Sequence, residues 1–148
     1  MEYEIKYAMI SQPMRGKTED EIRETRERAT YVLERLGYQV LDNTGGSLEP
    51  IEDEHVDGVN LPLFCLSESL ATMARCDVVF FCDGWEAARG CKIEHMAAHY
   101  YGVDKIEERN VRRVTIEQVE NGEKKETVLF DMEQGGWGVQ NQKYPPER

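Results

Sequence analysis

From residue 3 the chain reads YEIKYAMIS, polar and apolar by turns and then apolar throughout, the pattern of a strand entering a buried sheet. The Pro and Gly of QPMRGK stop it. TEDEIRETRERATYVLERLGYQV follows, with Thr18 and Glu21 at capping-box spacing and with Ile22, Ala29, Val32, Leu33 and Leu36 on one stripe that ends at Gly37. This predicts an amphipathic helix whose Glu and Arg residues at i, i+3 and i+4 make a solvated face. YQVLD (38–42) predicts a second short strand, and 43–61 a Gly-, Pro- and acid-rich loop without sustained period; loops of that length are usually functional or mobile. PLFCLSESLATMAR then sets Leu63, Leu66, Leu70 and Met73 at helical spacing. CDVVFFC is a β-branched and aromatic run of the kind that forms a strand buried on both faces. CKIEHMAAHYYG predicts a helix with Ile93, Met96, Ala97 and Tyr100 inward and Gly102 as its stop. VRRVTIEQV and KETVLF, joined across an Asn-Gly turn, predict a hairpin. The Gly-, Gln- and Pro-bearing residues 133–148 predict an arm or disordered tail.

The order β-α-β-α-β-α-β predicts an α/β fold, a Rossmann-like or flavodoxin-like three-layer sandwich with a mostly parallel sheet, extended by a C-terminal β-hairpin. The expected division is an α/β unit over 1–103, a strand or hairpin extension of the same domain over 104–132, and the tail. No internal repeat is visible. At 148 residues one core is the expectation.

Charge narrows the partners. A formal net charge of −11 provides no general basic footprint for a nucleic-acid polymer, although an acidic protein can still hold a small phosphate locally. No apolar run reaches the roughly 18 residues a membrane span requires, and MEYEIKYAMI lacks the basic and apolar regions of a signal peptide. Cys65, Cys76, Cys82 and Cys91 are therefore expected as reduced thiols of a cytoplasmic protein. Cys91 and His95 stand at i and i+4, but no second pair completes a zinc ligand set, and no metal or cofactor is expected.

In an open parallel sheet ligands bind at the carboxyl ends of the strands, which singles out the loops SQPMRG (11–16) and CDGWEAARG (82–90). In the first, Pro13 and Gly16 bend the backbone and Arg15 offers a planar fork for phosphate or carboxylate; a plain strand-to-helix turn with an exposed arginine has the same composition. In the second, Trp85 could pack on a planar base or sugar face, or equally cap the core. Arg89 and Gly90 precede the helix, and Glu94 is expected in its first turn, where the dipole favours the ionised form. Such a carboxylate can act as a nucleophile or serve helix stability alone. His55 is expected in the long loop, and His95 and His99 as a half-exposed or interface pair.

MISQPMRG together with ARCDVVFFCDGWEAARGCKIEHMAAHYYG resembles the nucleoside 2-deoxyribosyltransferase superfamily, specifically an uncharacterised bacterial and phage branch, over residues 5 to about 103. The resemblance implies a dimer or higher homo-oligomer and reaction at the N-glycosidic bond of a nucleoside or its 5′-monophosphate. It makes Glu94 the nucleophile that attacks C1′. Arg15, Gly16 and Gly90 take the places that cradle a 5′-phosphate, with Ser11, Gln12, Pro13 and Met14 in the same turn and Ser69, Trp85, Glu86 and Arg89 around the substrate. The family's helper residues fall at Met9 (a tyrosine in active members, with Tyr7 two residues earlier), Ser69 (an acid) and Ala88 (Asp or Ser), leaving Glu86 or Asp83 as candidate proton donors. Two further expectations follow from those departures: a non-catalytic protein that senses or sequesters a nucleotide, and a structural dimer with a vestigial pocket.

Overall fold

The computed structural model describes residues 4–50, 52–120 and 122–132, with side chains left aside for 112–120 and 123–132. The residues expected to form the tail lie outside this range. Along the chain run β1 (Lys6–Ser11), α1 (Glu19–Arg35), β2 (Tyr38–Val40), β3 (His55–Val56), β4 (Val59–Asn60), α2 (Leu61–Met73), β5 (Val78–Phe81), α3 (Arg89–Tyr100), β6 (Asp104–Glu107), β7 (Val111–Glu120) and β8 (Glu123–Met132), with short 3-10 turns at Trp85–Ala87 and Glu108–Asn110. This is an α/β fold.

Four strands make one parallel sheet in the order β2-β1-β5-β6. The connection from β1 runs through α1 to one side, and the chain then returns to the other side of β1, so the order reverses between β1 and β5. Their carboxyl ends diverge there, at Ser11 and Phe81, which are register partners. β3 and β4 form a two-residue antiparallel pair, and β7 pairs with β8 antiparallel from Val111↔Met132 to Glu120↔Glu123.

The pleat sends alternate residues to opposite faces. Ala8, Ile10, Val78, Phe80 and Ile106 pack against Ala29, Val32 and Leu33 of α1. Met9, Val79 and Phe81 pack with Met73 of α2 and Cys91 and Ala98 of α3. α1 starts as its sequence predicts: Thr18 accepts from the Glu21 amide at 3.1 Å and Glu21 returns a bond to the Thr18 amide. Asn60 caps α2 by accepting from the Leu63 amide, with Pro62 in the first turn.

Three expectations change. The fourth parallel strand is Asp104–Glu107, at the start of the expected 104–132 extension and ahead of the apolar-alternating segment from 111. α2 buries Ser69, Thr72 and Met73, while Leu63 is 61% exposed. α3 begins at Arg89, two residues earlier than its composition indicates, and buries Cys91, Glu94, His95 and Ala98. Met96 and Tyr100, expected inward, are exposed. The buried face carries Glu94 and His95 because each finds a polar partner, Ser69 of α2 and Glu107 of β6.

Candidate functional site

A cleft of about 1030 Å³ opens at the β1/β5 switch point. The β1 loop contributes Gln12, Pro13, Met14 and Arg15, the start of α3 contributes Arg89, Gly90 and Glu94, and α2 contributes Ser69. The chain after β2 walls the remaining side with Asn43, Glu49, Glu52 and Glu54 among its described residues. The two strand-end loops touch: a Cβ at Gly84 would stand 3.6 Å from Pro13, and its φ of +89° is one that L side chains rarely adopt.

Glu94 is the deepest charged group there, 7% exposed. It lies in the second turn of α3, beyond the amides that would favour its charge, and burial raises its pKa to about 7. The hydroxyls of Ser69 and Ser11 offset part of that rise. Ser69 Oγ donates to Glu94 Oε2 at 2.8 Å. Ser11, 1% exposed, eases the charge without forming a fully aligned hydrogen bond. The expectation of a first-turn carboxylate whose ionised form the helix dipole favours is thus corrected: near neutrality the two protonation states of Glu94 are comparably populated.

Behind Ser69 stands a chain of polar groups that the motifs did not reveal. Asn43 Nδ2 donates to Ser69 Oγ and to the Ile10 carbonyl, each at 3.0 Å. Arg26 donates to Asn43 Oδ1 and to Gln12 Oε1, each at 3.2 Å, and Gln12 Nε2 donates to the Ile22 carbonyl. Arg26 is an α1 residue within the charge-rich face read as solvated, yet its side chain is only 15% exposed. At the mouth, Arg15 and Arg89 meet on one carboxylate: Asp53 Oδ2 is 2.8 Å from Arg15 Nη1 and Asp53 Oδ1 is 2.8 Å from Arg89 Nη2. The Arg89 hydrogen bond and the Arg15 charge hold Asp53 below the usual carboxylate range.

No family model, curated protein or solved structure matches this chain.

Of the predicted site residues, Gln12, Pro13, Met14, Arg15, Ser69, Arg89, Gly90 and Glu94 share the cleft. Ser11 lies beneath it and Gly16 outside its lining, exposed at φ +78°. Trp85 is not available to a ligand: it is 2% exposed and stacked on His95 at 3.8 Å and 8°. Its use is the core-capping one. Glu86 points instead to Arg109, 2.7 Å away, and neither Glu86 nor Asp83 lines the cleft, so neither is placed to protonate a leaving group there. Met9 is wholly buried with its sulfur 3.7 Å from Ser69 Oγ, and Ala88 is the N-cap of α3.

Of the histidines, His95 departs from expectation, while His99 is half-buried as expected. His95 is fully buried, its Nε2 3.1 Å from Glu107 Oε1, and Lys105 Nζ lies 3.3 Å from His99 Nδ1. His55 lies in β3. Among the described residues no group of three or more His, Cys, Asp and Glu could hold a metal ion, and no helix is long and apolar enough to cross a membrane.

Proposed function

We propose that this protein acts at the N-glycosidic bond of a nucleoside or nucleotide, as a hydrolase or 2-deoxyribosyltransferase of the nucleoside 2-deoxyribosyltransferase-like type. Its frame would be Rossmann-like, and the working form a cytoplasmic homo-oligomer. The observation that carries the reading is a buried, serine-bonded carboxylate, Glu94, in one cleft with the guanidiniums of Arg15 and Arg89. A carboxylate at such a position suits attack on an anomeric carbon. An oxygen of Glu94 bonds to C1′ as the C1′–N bond breaks, the electron pair leaves with the base, and the base takes a proton from water. Water, or a second base, then attacks C1′ and restores the carboxylate. Arg15 and Arg89 hold a 5′-phosphate after exchanging Asp53 for it, and Gly90 keeps the opening turn of α3 free of a side chain.

A second reading rests on a specific observation: among the described lining residues Glu94 is the sole buried carboxyl, and Glu49, Glu52, Glu54 and Glu68 are all exposed. Without a general acid, glycosyl transfer forgoes roughly 10²–10⁴ in rate, and a protein that binds a nucleotide without turning it over becomes the alternative.

The two separate on incubation with deoxynucleosides and their 5′-monophosphates, with free base followed by chromatography. Base release that Glu94→Gln abolishes supports the enzyme. No release at high protein concentration, with monophosphates still raising the melting temperature, leaves only the binder. A thermal shift that persists in Arg15→Ala would remove the phosphate from its proposed place.

A further inference from the structure

The polar chain behind Glu94 distinguishes its two oxygens. Arg26 has donors and no acceptor, so the Asn43 amide must turn its oxygen toward Arg26 and its nitrogen toward Ile10 and Ser69. Both Asn43 N–H groups are then in use. One occupies a lone pair of Ser69 Oγ, leaving the hydroxyl proton for an acceptor on the far side. Two acceptors lie within reach, Glu94 Oε2 at 2.8 Å and the thioether of Met9 at 3.7 Å, and the carboxylate is much the stronger. No fully aligned hydrogen bond reaches Glu94 Oε1 among the described residues; the Ser11 hydroxyl, which also eases the Glu94 charge, makes none of that quality. Oε1 lies beside Gly90 in the lining, where a Cβ would come within 4.0 Å of it.

We infer that Asn43, oriented by Arg26, is a positioning residue that commits the Ser69 proton to Glu94 Oε2 and leaves Oε1 as the oxygen presented to substrate. When Glu94 is protonated its own proton sits on Oε1, because Oε2 already accepts one; when Glu94 is ionised, Oε1 is the oxygen that is less hydrogen-bonded and more nucleophilic. The assignment of nucleophilic work to Oε1 rests on the glycosyl chemistry proposed above, whereas the hydrogen-bond commitment does not. Two hydrogen bonds join side chains from separate parts of the fold: Arg26 on α1 donates to Asn43, which follows β2, and Asn43 donates to Ser69 on α2. The other titratable groups of the cleft are Cys91, one turn earlier on α3 with its thiol pushed up to about 12 by burial, Cys65, the cations Arg15, Lys17, Arg26 and Arg89, and the exposed carboxyls Glu49, Glu52, Glu54 and Glu68.

The test is an NMR titration of the Glu94 side-chain carboxyl carbon, assigned by its disappearance in Glu94→Gln. Removing the donor in Ser69→Ala raises the Glu94 midpoint by about one pH unit or more, the size expected for a charge-assisted hydrogen bond. Asn43→Ala and Asn43→Ser raise it by less, although Asn43 makes no hydrogen bond to Glu94, because the Ser69 hydroxyl is freed to turn away. Added to Ser69→Ala, the Asn43 substitutions move it no further. The inference is overturned if the Asn43 variants lower the melting temperature while the midpoint stays put, or if their effect adds in full to that of Ser69→Ala. Base release is measured on the same samples: an active wild type with an unmoved midpoint sinks the positioning role alone, and a moved midpoint in a protein that releases no base sinks the glycosyl reading alone.

Discussion

Burying Glu94 has a cost that depends on pH. The unfolded chain ionises this carboxyl near 4.5 and the folded chain near 7, so the contribution is fully present below about pH 4.5 and is lost as pH rises through 7. At pH 8 the difference of about 2.5 pH units corresponds to about 3 kcal/mol against folding. Glu94→Gln keeps the size of the side chain and an acceptor for Ser69 but has no charge to desolvate. Its melting temperature should match the wild type near pH 4.5, rise above it through pH 7 and level off by pH 8; a difference that does not grow with pH would disprove the raised pKa. Where catalysis occurs, base release should climb over the same interval, since only ionised Glu94 attacks. Trp85 behaves in the opposite manner. It is a core residue, so Trp85→Ala should cost about 3–5 kcal/mol in chemical denaturation at any pH.

At the scale of elements, what the sequence made legible depended on which groups did the burying. Ile22, Ala29, Val32 and Leu33 announce α1 because apolar side chains alone fill its interface, and VVFF announces β5 for the same reason. α3 was legible as a helix but not in its facing: Glu94 and His95 take the inward positions because Ser69 and Glu107 receive them, and no periodicity of apolar residues encodes a partner supplied by another element. β6 could not be located within the expected 104–132 extension, since DKIE carries three charged residues, of which Lys105 and Glu107 are buried among His99, His95 and Arg109. The cleft loops could be found from Pro, Gly and Arg at strand ends, whereas Arg26, Asn43 and Asp53 could not, because each acquires its role through a contact across the fold. Asp53 illustrates this. It lies in the segment read as an irregular loop, near the β3–β4 pair, and joins both arginines at the cleft mouth. All three side chains are substantially exposed, so the bridges add little to stability. Asp53→Asn should therefore leave the melting temperature nearly unchanged while inorganic phosphate binds severalfold more tightly, as calorimetry would read. Unaltered phosphate affinity would show that Asp53 does not compete for the guanidiniums.

Taken as a whole, the molecule places a buried ionisable group on each side of α3's inward face, with opposite responses to acid. Toward the cleft, Glu94 is eased by protonation. Toward the β6 edge, burial pushes Glu107 up, but the His95 hydrogen bond and the Arg109 charge prevail and hold it below its ordinary value. Burial likewise holds His95 below its ordinary value and so keeps it neutral, with Nε2–H donating to the carboxylate. Arg109 joins Glu107 to Glu86 beyond Trp85, so this pair ties β6, α3 and the loop after β5 into one unit. A depressed carboxyl contributes stability that is present above its unfolded pKa of 4.5 and is lost as pH falls through the folded value. A depressed histidine loses its contribution as pH falls below 6.5. Glu107→Gln should thus cost about 1–3 kcal/mol at pH 7 in urea denaturation, the usual loss for a buried charge-assisted hydrogen bond, and the deficit should shrink as pH drops below 4.5, where the wild-type carboxyl becomes protonated too. Glu94→Gln should show the reverse sign and vanish in the same acid range. A Glu107→Gln deficit that stays constant down to pH 3 would mean that packing, and not the charge, secures the β6 edge.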